Sequence, residues 1–181
     1  MSKLIEKKIS SQTVYKGNFL DVKKDNVVLP NGKNSTREWI NHPGAVVIVP
    51  ILPNGKIALI RQFRYAMGSE FIELPAGKID KGETPDECAI RELEEEIGFK
   101  TKNLNFISMI HPAIGFANEN MSLYLATDLV QTNINRDSDE FLELMPTSLE
   151  DALDLVWSNK ITDVKTIIGI LWYQKIYQES K

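Results

Sequence analysis

The chain has 181 residues, of which 43% are hydrophobic and 25% are charged, and its formal net charge is −4. These values are typical of one globular domain with at most a small appendage, and they argue against a nucleic-acid-binding surface. The single cysteine, Cys88, excludes an internal disulfide and is typical of a reducing compartment. Because neither an apolar run of about 18 residues nor an apolar signal-peptide core occurs, we expect a soluble cytoplasmic protein that does not bind a membrane.

Short β-type runs and turn signals fill the first part of the chain. Turn residues at 16–18 (Lys-Gly-Asn) and 30–32 (Pro-Asn-Gly) separate runs that are rich in strand-forming residues. The runs span 11–17, 19–30 and 35–42. We therefore predict a small antiparallel β meander as a first domain, residues 1–42.

The remaining residues, 43–181, are predicted to form the main domain. Apolar runs at 44–52 and 56–65 flank Pro53-Asn54-Gly55, which predicts a β hairpin. The first run is apolar throughout, as expected for a strand that is buried on both faces. Further strands are expected at 104–111, 121–130 and 140–146, and further helices at 148–159 and 162–179, the last beginning at Thr162. This order favours an α/β fold with a mixed sheet packed by helices.

The segment 84–98 has several independent markers of a helix. Thr84 is placed as the N-cap, and Glu87 completes a capping box around Pro85. Gly98 is placed for the left-handed residue that ends a helix. An apolar stripe at helical spacing is formed by Ala89, Leu93 and Ile97.

This helix contains the run RELEEE at 91–96, in which like charges one turn apart repel each other. Glu92, Glu95 and Glu96 share one face, and three carboxylates on one face suit a hard divalent cation such as Mg²⁺. A bound cation would also reverse the repulsion between them. The alternative is a solvated acidic face, either without a ligand or in contact with a protein partner.

The surroundings of these glutamates match a longer pattern. From Gly77 the sequence reads G-x5-E-x7-R-E-L-x-E-E-x-G-F, and every specified position is filled. This is the signature of the Nudix hydrolases, which the chain resembles. The resemblance implies a Nudix-type α/β/α sandwich with a mixed β-sheet, beside the N-terminal antiparallel meander.

The resemblance also implies a ligand set for Mg²⁺ or Mn²⁺ that faces a diphosphate. Glu92 and Glu96 are the principal ligands, Glu95 contributes directly or through water, and the backbone carbonyl of Ala76 joins them. Such cations neutralise a pyrophosphate, polarise its phosphorus and position a water molecule for attack in line with the leaving group.

Glu83 and Arg91, two further residues of the signature, are interpreted as supports that orient these ligands. Arg91 is spaced to pair with Glu95 one turn later or with Glu83 before the helix. Glu94 points elsewhere and is expected on the surface. The predicted catalytic group comprises Glu83, Arg91 and Glu95 of the signature, together with Glu119 from a loop that follows it in the chain.

Three segments that extend beyond the signature, 35–48, 61–83 and 159–173, resemble the ADP-ribose and nucleoside-diphosphate-sugar pyrophosphatases within the family. The similarity extends from about residue 37 to 175. It implies a homodimer that is intertwined through the N-terminal meander.

This closer resemblance implies substrate-binding residues. Arg64 should contact the substrate phosphates, for which its fork of donors is suited, and Glu73 should lie beside the metal site. Trp39 matches a position on which adenine stacks, with Arg37 and Glu38 as candidates for polar contacts. The alternatives are a surface arginine at position 64 and a core tryptophan at position 39.

The segment 111–126 should form the loop over the site. Glu119 aligns with a glutamate that acts on the attacking water or orients it, and the alternative is an exposed loop carboxylate. His111 is interpreted as structural. Ile114 stands where such enzymes often carry a second proline, so the loop could suit other nucleotide sugars, such as GDP-mannose.

The sequence thus predicts metal-dependent hydrolysis of a nucleoside diphosphate linked to a sugar, giving a nucleoside monophosphate and a sugar phosphate. One alternative is a Nudix hydrolase of nucleoside triphosphates, dinucleoside polyphosphates or capped RNA, although the acidic balance speaks against RNA. The other alternative is a non-catalytic nucleotide-binding or regulatory domain.

Overall fold

The computed structural model describes residues 3–132 and 141–179. Backbone packing divides the chain into two compact units. One comprises residues 1–44 and 113–119, and the other comprises residues 45–112 and 120–181. The domain boundary between residues 42 and 43 stays a prediction.

The first unit contains the predicted meander. Strands β1 (Lys7–Lys16), β2 (Asp21–Val28) and β3 (Asn34–Ile40) form an antiparallel sheet in the order β1-β2-β3. Its turns lie where the sequence places them, since the Gly17 N–H donates to the Leu20 carbonyl at 2.8 Å. The antiparallel meander is therefore confirmed.

The second unit contains two sheets. A mixed sheet has the order β7-β4-β9-β8, in which β4 and β9 run parallel, and an antiparallel sheet has the order β10-β5-β6. The strands are β4 (Ala45–Pro50), β5 (Ile57–Arg64), β6 (Ser69–Glu73), β7 (Ala76–Lys78), β8 (Phe99–Ile110), β9 (Met121–Gln131) and β10 (Leu142–Thr147).

Within the described residues, three α-helices cover these sheets. They are α1 (Pro85–Glu92), continued by a π-helical turn over Leu93–Ile97, α2 (Leu149–Trp157) and α3 (Val164–Glu179). Val46 and Ile48 of β4 pack in the apolar cluster that includes α1 residues, whereas Val47 and Val49 pack in the cluster of α2 and α3. This alternation follows from the two-residue period of a strand. The buried strand and the predicted α/β/α layers are confirmed.

The predicted hairpin around Pro53-Asn54-Gly55 is wrong. The chain does turn there, since the Leu52 N–H donates to the Lys56 carbonyl at 2.9 Å. However, the strands on either side join different sheets, and the pair Ile51–Ile57 forms an isolated bridge. The turn residues reverse the direction of the chain. However, the strand beside each of β4 and β5 is decided by residues far away in the sequence, and β4 pairs with β9.

Other boundaries differ by a few residues. Helix α3 starts after Asp163, whose carboxylate accepts the Thr166 N–H at 3.1 Å, rather than at Thr162. Strands β6 and β7 were not predicted. The first residue of the strand expected at 140–146 lies outside the described residues. No helix in the described ranges is long and apolar enough to cross a membrane.

Candidate active site

The start and end of the signature helix are fixed by local sequence. Thr84 Oγ1 accepts the Glu87 N–H at 3.3 Å, while the Glu87 carboxylate accepts the Thr84 N–H at 2.8 Å. The predicted capping box is therefore confirmed. Gly98 ends the π-helical turn with φ 73°, in the left-handed region that favours glycine.

The glutamates of this helix differ in burial. Glu92 and Glu96 are only 7% and 4% exposed. Glu95 is half-buried, and Glu94 pairs with Lys100, its Oε1 lying 3.0 Å from the lysine Nζ. Two buried carboxylates on one helix are costly unless their charges are compensated. This burial argues against an ordinary solvated acidic face.

Arg91 compensates part of this charge. Its Nε and NH2 atoms donate to Glu83 at 2.8 and 3.0 Å, and its NH1 donates to Glu92 at 2.7 Å and to Glu95 at 2.9 Å. Both pairings expected for Arg91, with Glu83 and with Glu95, are present. The planar guanidinium thus fixes three carboxylates relative to one another.

The pKa values follow from these contacts. The hydrogen bonds from Arg91 lower the pKa of Glu83 to about 2. The hydrogen bonds that Arg91 donates to Glu83, followed by the charge of Glu92, raise the pKa of Arg91 further above its usual range. Burial raises the pKa of the Cys88 thiol to about 12, so Cys88 is not a thiolate nucleophile at neutral pH.

Strand β7 runs directly beside the two buried glutamates. The Ala76 N–H donates to Glu96 Oε2 at 3.1 Å. At Gly77, an added Cβ would lie 1.7 Å from Glu92 Oε1. Glycine is therefore required here because the carboxylate of Glu92 occupies the space of a side chain.

The donor chemistry of this site fits a hard divalent cation. Glu92, Glu95 and Glu96 supply carboxylate oxygens, and the Ala76–Gly77 backbone forms the cradle in which two of them lie. Among the described residues, no three His, Cys, Asp or Glu side chains converge as a ready ligand group. In this structure, Glu92 and Glu95 face Arg91 instead, so metal ligation by these residues stays a prediction.

Arg64 and Glu73 lie together at the ends of β5 and β6. Arg64 Nε and NH2 each donate to a different oxygen of Glu73 at 2.7 Å. The Glu73 bond raises the pKa of Arg64, and the charge of Glu96 adds to this effect. Burial raises the pKa of Glu73, but bonds from Arg64 and the charge of Lys165 outweigh it and lower the pKa overall. Arg64 therefore lies within electrostatic reach of a signature glutamate.

Sequence reasoning missed the residues that complete this cluster. Lys165 Nζ donates to Glu73 and, at 2.8 Å, to Asp163, while Thr166 Oγ1 accepts the Leu74 N–H at 2.8 Å. These residues belong to the segment TDVKT, which contributed only to the family resemblance. Its residue types alone do not indicate a contact with Glu73.

The other predicted residues lie in the first unit. Trp39 is half-buried, Arg37 pairs with Glu6, and Glu38 pairs with Lys24 at 3.3 Å between Oε1 and Nζ.

Glu119 also belongs to the first unit. Its Oε1 lies 3.7 Å from Nε2 of His42, whose Nδ1 accepts the Gly44 N–H at 3.1 Å. His111 is exposed, in the second unit. The roles of these residues stay predictions.

Comparison with known proteins identifies the family of the chain. The NUDIX domain model matches residues 41–165, and the model of the nucleoside diphosphate sugar hydrolase N-terminal domain matches residues 6–40. The ADP-ribose pyrophosphatase of Bacillus subtilis (strain 168) is 42% identical over 176 residues, covering 96% of this chain and 95% of that protein. The methanol dehydrogenase activator of Bacillus methanolicus is 37% identical and covers 96% of each chain.

A solved structure supports the fold. The crystal structure of an ADP compounds hydrolase has a TM-score of 0.88 to this chain at 24% identity, covering 99% of this chain and 98% of that chain. The predicted fold is confirmed by this match. The chain belongs to the Nudix hydrolase family and carries the N-terminal domain of the nucleoside diphosphate sugar hydrolases.

Proposed function

We propose that the protein hydrolyses the pyrophosphate bond of a nucleoside diphosphate linked to a sugar. The products are a nucleoside monophosphate and a sugar phosphate: water adds its oxygen to one phosphorus, and the bridging P–O bond breaks. The observation that carries this proposal is the buried pair Glu92 and Glu96, held against β7. ADP-ribose is the first candidate, because a 42% identical relative is named ADP-ribose pyrophosphatase. GDP-mannose is a further candidate because of Ile114.

Nudix hydrolases generally need a divalent metal ion. For this chain we assign Mg²⁺ or Mn²⁺, held by Glu92, Glu96, Glu95 and the Ala76 carbonyl. When bound, the metal supplies charge neutralisation and polarisation of phosphorus.

The chain's own contribution is to fix the ligand side chains. Arg91 keeps Glu92 and Glu95 in place, and Glu83 holds Arg91 from the opposite side through two hydrogen bonds. Such support commonly changes metal affinity or activity by about 10–100-fold when it is lost.

Substrate recognition is assigned to the remaining predicted residues. Arg64 binds a substrate phosphate through its half-exposed guanidinium, and Glu73 holds that guanidinium from the buried side. Trp39 stacks on the base, and Arg37 and Glu38 make polar contacts with the nucleotide. The assignment of the last three depends on the family resemblance.

Glu119 is assigned as the group that receives the proton of the attacking water. A carboxylate suits this role because its oxygens accept hydrogen bonds and can receive a proton. Glu119 Oε1 lies 3.7 Å from Nε2 of His42.

We also propose a homodimer formed through the N-terminal meander. Every residue of β1 is exposed, including Ile9, Val14 and Tyr15. Strand β1 lies at the edge of the sheet β1-β2-β3. Exposed apolar side chains on an edge strand are a common feature of interfaces. Light scattering after size exclusion tests this: a mass near 20.5 kDa would contradict it, and twice that mass supports it.

A second candidate role is activation of a partner enzyme, because a 37% identical relative is named for the activation of methanol dehydrogenase. The buried signature glutamates favour catalysis over this role, since an activator that acts only by contact does not need them.

The decisive experiment is a panel of ADP-ribose, GDP-mannose, UDP-glucose and nucleoside triphosphates with Mg²⁺. Wild type is expected to release a nucleoside monophosphate and a sugar phosphate from at least one nucleotide sugar. Glu96→Gln is expected to reduce this rate by a hundredfold or more, whereas Glu94→Gln, which alters a surface pair, serves as the control. The absence of a metal-dependent product from every compound would refute the enzymatic role.

A further inference from the structure

Lys165, in the first turn of α3, is the only buried lysine among the residues that the structure describes. Its side chain is 10% exposed, and it donates to Glu73, whose side chain is 3% exposed. It also donates to Asp163 Oδ2 at 2.8 Å. A lysine is rarely buried to this extent unless it is paired, so the position of its ammonium group is set by these two carboxylates.

The helix turn that carries Lys165 is attached to strand β6. Thr166 Oγ1 accepts the Leu74 N–H at 2.8 Å and donates to Asp163 Oδ2 at 2.6 Å. Thr166 is fully buried. Because Leu74 follows Glu73 directly, the same attachment fixes Lys165 next to the Glu73 carboxylate.

Glu73 bonds to two cations at once. Arg64 binds both of its oxygens at 2.7 Å, and Lys165 donates to one of them. Lys165 also pairs with Asp163, so two cations and two carboxylates balance one another in this cluster. The Glu73 carboxylate is thus fixed by Lys165 on one of its oxygens while it holds the Arg64 guanidinium through both.

Of these three side chains, Arg64 is the one that reaches solvent, with 45% of its side chain exposed. Its partner Glu73 stands three residues before Ala76, whose N–H donates to Glu96 Oε2 of the signature helix at 3.1 Å. Arg64 therefore presents a cation at the proposed pyrophosphate site, while Glu73 and Lys165 lie behind it.

We propose that Lys165 is a positioning residue for substrate phosphate: acting through Glu73, it holds the Arg64 guanidinium in place. Lys165 does not touch the substrate. This inference rests on the proposed function, because it gives Arg64 the phosphate-binding role assigned there.

The test is a double-mutant cycle of Lys165→Met and Arg64→Gln on the full-length protein. We expect Lys165→Met to raise KM for the best nucleotide sugar by about tenfold or more, with kcat within about threefold of wild type. If Lys165 acts through Arg64, the double variant should be no worse than Arg64→Gln alone. Additive losses, or an unchanged KM in Lys165→Met, would overturn the inference.

Two controls separate this role from general support of α3. Lys175→Met removes an exposed lysine from the same helix and should leave KM unchanged. Gly169→Ala places a Cβ 2.4 Å from Leu74 Cδ1 and should lower the melting temperature with KM within about twofold of wild type. If Gly169→Ala raises KM as Lys165→Met does, Lys165 is a structural residue and the inference is wrong.

Binding of inorganic pyrophosphate with Mg²⁺, measured by calorimetry on the same variants, separates the two proposals. If wild type hydrolyses no nucleotide sugar, the proposed function fails, and the role of Lys165 is then decided by the pyrophosphate affinities of the same single and double variants. Non-additive losses of affinity support the positioning role of Lys165. Additive losses, or an affinity that does not depend on Arg64, overturn that role. If Lys165→Met does not unfold cooperatively, Lys165→Gln takes its place in the cycle.

Discussion

A Cβ atom at Gly77 would lie 1.7 Å from Oε1 and 1.9 Å from Cδ of Glu92, well inside any possible non-bonded contact. The carboxylate of Glu92 thus occupies the volume that a side chain at position 77 would need. The atoms nearest to that position belong to the carboxylate of Glu92, a residue that is 7% exposed. We therefore expect a substitution at Gly77 to displace the carboxylate of Glu92, a proposed metal ligand.

We predict that Gly77→Ala reduces kcat/KM by about a hundredfold or more, because displacement of a catalytic group by about 1 Å has effects of this size. Steady-state kinetics on the best substrate measures this. Gly169→Ala is the matched control, since its added Cβ meets Leu74 and Val49 in the core rather than a signature residue. The control should lose about 1–3 kcal/mol of stability while keeping its activity. Equal activity in Gly77→Ala and wild type would contradict the assigned position of Glu92.

We predict that Mg²⁺ raises the melting temperature of wild type, because a ligand that binds only the folded state stabilises it by about 2.7 kcal/mol at a hundredfold excess over Kd. Glu96→Gln should lose most of this stabilisation. Glu94→Gln should keep it, because Glu94 pairs with Lys100 instead. Differential scanning calorimetry with and without Mg²⁺ provides the measurement, and an identical shift in all three proteins would argue against Glu96 as a ligand.

We predict that Glu83 contributes to acid stability. Its pKa falls from 4.5 to about 2 on folding, so its contribution is complete above about pH 4.5 and is lost as the pH falls toward 2. Glu83→Gln should cost about 1–2 kcal/mol at pH 7, since it weakens charge-assisted hydrogen bonds close to solvent.

Urea unfolding at pH 7, 4 and 3 checks this expectation. The stability difference between wild type and Glu83→Gln should shrink as the pH falls through this window. Glu70→Gln, which removes an exposed carboxylate 3.9 Å from Arg61, is the control and should show no such trend. A difference that is constant with pH would mean that Glu83 is not held in its ionised form by Arg91.

We predict that Glu119→Gln lowers kcat by a hundredfold or more, because a positioned general base contributes about 10²–10⁴-fold. The amide has nearly the same shape, so substrate binding and the Mg²⁺-dependent rise in melting temperature should stay as in wild type. Single-turnover kinetics measures the chemical step directly. A rate near that of wild type would leave Glu119 as a loop carboxylate beside His42.

The parts of this protein that were predictable from the sequence depend on short-range chemistry. The capping box of Thr84 and Glu87 and the left-handed Gly98 follow from residues at most one turn away. The burial of β4 follows from its unbroken apolar run, and the pairing of Arg91 with Glu95 follows from helix spacing. In each case the partners are close in the chain, so their distance in space is limited by local geometry.

Tertiary structure decided the contacts between residues that are far apart in the sequence. The turn at Pro53-Asn54-Gly55 was predictable, but β4 pairs with β9 and β5 with β10 because distant strands offer better burial. Glu73 meets Lys165, 92 positions later, only after α3 has packed against the end of β6. The sequence by itself determined the signature helix and its carboxylates. Only the packed fold shows that Glu92 leaves no room for a side chain at position 77, and that Glu73 and Lys165 hold Arg64. Both depend on atoms that are brought together by burial of the core.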